Sequence, residues 1–166
     1  IISNERLMLD LIAYPDSSKV WIYPSDQCIE DTLIPEIYQS IQQFTRQWTS
    51  HQAALFATGG ILHNYFIVFV VDDQLNSPGG CSIDKSVHFL QDLGRTYHKD
   101  FFNRMIFHYL KDDHIFQVHA NDLKSLYADQ KIDDDTLFFN PLVKNKKEFL
   151  EQWLVPFKSS WHYQFL

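Results

Sequence analysis

Eight consecutive residues gather side chains that could do chemistry: Gly79-Gly80-Cys81-Ser82-Ile83-Asp84-Lys85-Ser86, with His88 close behind. A thiol at the start of a helix, near a lysine and with a histidine further along, has the ingredients of an activated nucleophile and its base. Cys81, Asp84 and His88 are therefore the catalytic candidates. Two glycines followed by a lysine also suit an anion, because glycine permits positive φ and lets backbone N–H groups approach a ligand closely, while a helix N-terminus favours negative charge. Gly79, Gly80, Ser82 and Lys85 are the anion-binding candidates. The same residues have structural uses. Ser82 is a natural helix N-cap, which puts Asp84 in the first turn where a carboxylate complements the helix dipole. Seven positions separate Cys81 from His88, roughly 10 Å along a helix axis, beyond direct proton transfer, so packing as a small apolar residue is the simpler role for Cys81.

Phosphate-loop chemistry needs Gly, four residues, Gly, Lys and then Ser or Thr, so that amides wrap the phosphates and the hydroxyl meets magnesium. No such run occurs in the 166 residues, and Lys85-Ser86 follow an aspartate rather than a glycine. Fourteen Lys and Arg against 21 Asp and Glu give a formal net charge of -7, which opposes binding a polyphosphate backbone and excludes nucleic acid as the main partner. The longest apolar run, Tyr65 to Val71, is far short of the ~20 residues of a membrane span. Ile1 to Arg6 mixes charge with apolar residues and shows no secretion-signal pattern. Cys28 and Cys81 are too few for a disulfide framework, and reduced thiols point to a cytoplasmic protein. His108 and His119 fall diagonally on one face of a hairpin but lack a third ligand, and Asp133-Asp134-Asp135 lacks the central glycine of a calcium loop. No metal and no cofactor are expected.

The elements that must position these residues follow from periodicity. Lys19 to Tyr23 has strand composition, preceded by a Pro15 to Ser18 turn and stopped by Pro24. Ile34, Ile37, Tyr38, Ile41, Phe44 and Trp48 recur at helical steps with Pro35 in the first turn. Gly59-Gly60 reads as punctuation before one central strand from Ile61 to Val71, buried on both faces. After the loop from Asp72 to Gly80, Ile83, Val87, Leu90 and Leu93 mark the buried stripe of a second helix. Met105 to Lys111 and His114 to His119 form a hairpin across Asp112-Asp113. Asn121 or Asp122 caps a short helix, and Asn145 with Glu148 forms a capping box for a last one. Strands arriving in adjacent pairs predict a single α+β domain, a mainly antiparallel sheet with helices packed on it. Of the four tryptophans, Trp161 stands apart, in an aromatic C-terminal stretch that docks on the domain or meets a partner.

Ser18 to Tyr23, Gly80 to His88, Phe138-Phe139-Asn140 and Trp153 to Pro156 resemble a family of small Bacteroidetes-type bacterial proteins often labelled "ABC transporter ATPase". The resemblance spans most of the chain. The label sits badly with a sequence that has neither the phosphate loop nor a Leu-Ser-Gly-Gly-Gln signature, and the resemblance implies no activity. Asp122 to Leu126 followed by Lys131 to Leu137 is also similar to the helix-then-strand unit of peptide-binding GYF-like domains, without their leading Gly-Tyr-Phe. Two functions are thus expected in competition. One is a non-enzymatic binding or adaptor domain, which an aromatic content of 16% favours. The other is a small-molecule enzyme or anion-binding protein built on Gly79 to Ser86. A protein or small-molecule partner follows from either.

Overall fold

A computed structural model describes residues 11–166, so the reading of Ile1 to Arg6 against a secretion signal lies outside the described residues. In chain order the elements are β1 (Lys19–Pro24), α1 (Ile34–Gln47), β2 (Thr49–Ser50), β3 (Ala53–Ala54), β4 (Phe56–Leu62), β5 (Phe66–Asp72), α2 (Gly80–Tyr97), β6 (Ile106–Lys111), β7 (His114–His119), α3 (Leu123–Ala128), β8 (Leu137–Phe139), α4 (Lys146–Gln152) and β9 (Leu154–Pro156). All pairing is antiparallel, in three sheets ordered β1-β5-β4, β2-β3 and β7-β6-β8-β9. The α+β class expected from the pattern of elements is the class observed.

β5 explains the architecture. Its residues Phe66 to Val71 are all buried because both faces of the first sheet are covered. Ile67, Phe69 and Val71 pack with Ile37, Ile41 and Trp48 from the α1 side and Leu90 of α2. Phe66, Val68 and Val70 pack with Phe139, Phe149 and Trp153 from the β8–β9 side. The remaining core joins Phe107, Tyr109 and Phe138 of the second large sheet to Leu123 and Phe157. A fully buried side chain of this size contributes roughly 1.5 to 3 kcal/mol of transfer free energy, so a strand with no wet face anchors both layers.

Two expectations about this region are corrected. Ile61 to Val71 is not one strand: His63 and Asn64 take positive φ, 54° and 63°, and fold the chain back so that Leu62 pairs with Phe66. Asparagine tolerates that conformation, and its amide is held by Ile29 O at 2.8 Å and Asp31 Oδ1 at 2.6 Å. Gly59-Gly60 is not punctuation either; both residues are buried inside β4. A Cβ on Gly59 would stand 2.9 Å from Ile41 Cγ2, Phe69 Cδ1 and Val68 O, so glycine is there to let α1 press on the sheet. The hairpin across Asp112-Asp113 forms as expected, with both residues at positive φ and His108 opposite Gln117.

Candidate functional site

α2 begins earlier than the serine predicts. Gly79, in extended conformation (φ -102°, ψ -177°), is its N-cap, and the backbone N–H of Gly79 donates to Ser50 Oγ at 3.2 Å. No glycine takes positive φ. Ser82 therefore sits inside the first turn, its hydroxyl donating back to Gly79 O at 2.7 Å, and Asp84 lies beyond that turn. The buried stripe is also rotated. Ser82, Ser86, Leu90 and Leu93 face the core while Ile83 and Val87 are half-buried. Burying the serines costs little because the Ser86 hydroxyl donates to Ile83 O and the Ser82 carbonyl accepts from Trp48 Nε1 at 2.8 Å. Consequently Cys81, Asp84, Lys85 and His88 share the exposed face, and Cys81 does not pack as an apolar residue. Lys85 Nζ donates to Thr49 Oγ1 at 3.2 Å, and the surroundings of Gly80 are open. Cys81, Asp84, Lys85 and His88 thus line one wet helix face while Ser82 is turned to the core, so the structure does not bring the candidates together.

A different set of groups does converge. β1 is an edge strand, and Lys19 bridges to Asn145 on its outer side: Val20 N–H donates to Lys144 O at 3.0 Å and Lys146 N–H donates to Ser18 O at 2.9 Å. Antiparallel geometry would continue this ladder with Lys144 N–H to Val20 O, then with Ile22 and Leu142 exchanging both bonds. Neither step forms. Lys144 N–H donates to Glu148 Oε2 at 2.7 Å, Leu142 N–H donates to Asn140 Oδ1 at 3.0 Å, and Pro141 has no N–H to give. The two segments splay, opening a slot of about 300 Å³ between β1 and Pro141 to Lys144. Alternation along the strand aims the Val20 carbonyl and the N–H and C=O of Ile22 into that slot, and none of them has a hydrogen-bond partner among the described residues. Pro24 takes the next outward position, where its missing N–H leaves nothing unpaired.

Charge singles out the same place. The slot is lined by Lys19, Arg104 and Lys144 and by no carboxylate, in a chain of net charge -7. Lys19 has one loose pairing, to Asp73 at 3.8 Å. The Arg104 guanidinium and Lys144 ammonium have no hydrogen bond or ion pair among the described residues. Past Arg104 the slot runs into a narrower cleft walled by Phe102, Leu142 and Trp161, which are 39%, 40% and 36% exposed although each is large and apolar. The C-terminal stretch docks, as one of its two expected fates: Phe107 meets Trp161, His162 and Phe165, leaving Trp161 on the rim of the cleft. Burial pushes the Tyr23 phenol up, with the Ser86 hydroxyl and the Arg104 charge opposing.

A second concavity, of about 610 Å³, lies on another side and is acidic, with Glu30, Asp31, Cys28, His63 and Tyr65 among its lining. The Cys28 thiol is pushed up chiefly by partial burial, against the Tyr65 hydroxyl, and Glu30 and Asp31 add to the rise. A raised thiol is a poor nucleophile. Burial pulls His63 down. His119, the other half of the predicted histidine pair, accepts from Asn121 N at 3.0 Å as a local cap, and His108 is buried against Tyr65 and Phe66. Among the described residues no three His, Cys, Asp or Glu side chains gather as a metal site requires, and no helix is long and apolar enough to cross a membrane.

Sequence reasoning missed Arg104, Lys144 and the Ile22 edge. Arg104 stands in a polar stretch with no motif around it. The signals that hold the slot open, Asn140-Pro141 and the Asn145-to-Glu148 spacing, read as ordinary loop and cap chemistry. No family model, curated protein or solved structure matches this chain.

Proposed function

We propose that this protein is a non-enzymatic binding or adaptor module that takes an extended polypeptide along the open part of β1. The observation that carries the reading is the interrupted ladder, which leaves the Ile22 N–H and C=O and the Val20 carbonyl facing an accessible slot. An exposed strand edge recruits another strand because unpaired backbone groups regain their hydrogen bonds, and flanking pockets select side chains. The exposed Phe102, Leu142 and Trp161 supply such a pocket. Two free cysteines fit a reducing compartment, so the module is assigned to the cytoplasm, and the Bacteroidetes-type family remains its proposed kinship. The rival reading, an enzyme or anion site on Gly79 to Ser86, has less support: Cys81, Asp84 and Lys85 face solvent, Ser82 and Ser86 face the core, and the Gly79 amide is already bonded to Ser50.

Amide hydrogen exchange on the full chain tests this. Trp21 and Tyr23 point their N–H groups at β5, whereas Ile22 points away. The Ile22 amide is expected to exchange much faster than those of Trp21 and Tyr23, and to become protected when six-residue peptides rich in Val, Phe and Leu are added. Equal protection of all three in the free protein would show that the edge is closed and end this reading.

A further inference from the structure

We infer that the segment taken by the slot is the C-terminal end of a polypeptide, its free carboxylate held by Lys144, Lys19 and Arg104. This deepens the peptide-docking reading and rests on it. The slot has one closed end, where Lys19 bridges Asn145 and Val20 N–H is already bonded to Lys144 O. An added strand entering from the Trp161 cleft must stop there, so a chain terminus, not a continuing chain, fits the closed end.

The chemistry of that end decides which terminus. Three cations and no carboxylate line the slot, Lys19 and Lys144 beside its closed end and Arg104 on the cleft side, and two of the cations have no counter-ion among the described residues. An ammonium would be repelled; a carboxylate gains charge-assisted hydrogen bonds, bidentate ones with the Arg104 guanidinium. Stopping at Lys19 with the C-terminus also fixes direction, because the added strand then runs antiparallel to β1. One of its residues exchanges both backbone bonds with Ile22, and the residue two further on donates its N–H to the Val20 carbonyl. The carbonyl that would ordinarily accept from Val20 N–H is not needed, since Lys144 O already does so. The terminal carboxylate, kept out of that place by Lys144 O, turns instead to the cations. Upstream side chains reach the cleft of Phe102, Leu142 and Trp161, so an apolar residue several positions before the end completes the recognised class.

The experiment uses the full chain and an array of six-residue peptides rich in Val, Phe and Leu, each made as the free acid and as the C-terminal amide, with affinity read by fluorescence polarisation. Free acids are expected to bind at least about tenfold tighter than their amides. In the Arg104→Gln, Lys144→Gln double variant that preference should collapse to nearly one while amide binding persists. Equal binding of acid and amide by the unaltered protein would overturn this inference and leave edge docking standing. Binding of neither form would overturn both. Sedimentation showing two copies of this chain paired through the Ile22 edge, with no peptide able to compete, would overturn the terminus as occupant. Both substituted side chains are exposed, and a matching thermal unfolding midpoint shows that the variant folds.

Discussion

The start of α2 and the outer edge of β1 hold similar groups, backbone amides beside lysine side chains, and end in opposite conditions. At α2 the Gly79 amide is bonded to Ser50 and Lys85 to Thr49. At β1 the Ile22 amide and carbonyl, the Arg104 guanidinium and the Lys144 ammonium have no hydrogen bond or ion pair among the described residues. The difference lies in the neighbours. A tight hairpin, β2–β3, folds under the α2 start, with Asn76 Nδ2 donating to Ser50 O and Ala53 O, and brings its hydroxyls to the helix. The segment beside β1 instead has its amides drawn away by Asn140 and Glu148. A concentration of reactive residue types is therefore a weaker guide to a site than polar groups that the fold leaves unsatisfied.

Acid should separate the two regions most sharply. Burial holds His108 and His162 at about 4, well below the ordinary 6.5. His162 packs against Phe107 and Phe138 beside the Trp161 wall of the cleft. Gln117 Nε2 lies 3.0 Å from His108 Nε2 and also donates to the Ser25 and Asp26 carbonyls, so the imidazole accepts there and the neutral ring is the form that fits. Because the unfolded chain protonates these rings first, stability is complete above pH 6.5 and falls as pH drops from 6.5 to 4, by about 3 kcal/mol per histidine. Urea unfolding across that range, with Trp161 packing and α2 helicity followed together, should show the cleft side loosening first. Flat stability down to pH 4 would contradict the burial of both rings.

Glycine substitutions come next in size. Gly59→Ala forces a Cβ against Ile41, Phe69 and the Val68 carbonyl, and should cost about 2 kcal/mol in chemical denaturation. Gly80→Ala meets nothing within 4 Å, and in a helical first turn it should be neutral or stabilise by about 0.5 kcal/mol. If the order reversed, the Gly79-Gly80 pair would hold a constraint that the comparison denies it. Asn145→Ala is smaller again, at about 1 kcal/mol, the usual cost of an N-cap whose side chain accepts from the third residue's amide. It also loosens the Lys144 to Lys146 segment that closes the slot, so peptide affinity should fall with it; unchanged affinity would detach the closed end from recognition.

How much of this was legible depends on range. β1, α1, the Asp112-Asp113 hairpin and the Asn145 cap were readable because each is set by residues within a few positions: Pro24 stopping a β-branched run, isoleucines at helical steps, two aspartates tolerating positive φ. The turn at His63-Asn64 was not, because its flanks are so uniformly apolar that no period breaks, and what fixes it is the Asn64 amide reaching Ile29 and Asp31 some 35 and 33 positions away. Gly59 reads as a breaker in one dimension and as a packing contact in three. The slot was least legible of all. It arises where two segments about 120 positions apart begin to pair and stop, and nothing in Val20 to Ile22 or in Asn140 to Lys144 taken alone announces an unfinished ladder.

The smallest effect bears most directly on whether the α2 start keeps any chemical role. Cys81 is exposed on the second residue of α2, and His88, the histidine on the same helix face, lies two turns away. Access alone should then govern its reaction with a thiol reagent, so its native rate should stay within about threefold of its rate in denaturant. Cys28, whose thiol is raised by burial and by Glu30 and Asp31, should react more slowly than Cys81 in the folded chain and at a comparable rate once unfolded. Single-cysteine variants, Cys28→Ser and Cys81→Ser, make the two rates separable. A native Cys81 that reacted many times faster than its unfolded counterpart would mean that the helix start and Lys85 activate it, and the two regions would then have to be ranked the other way round.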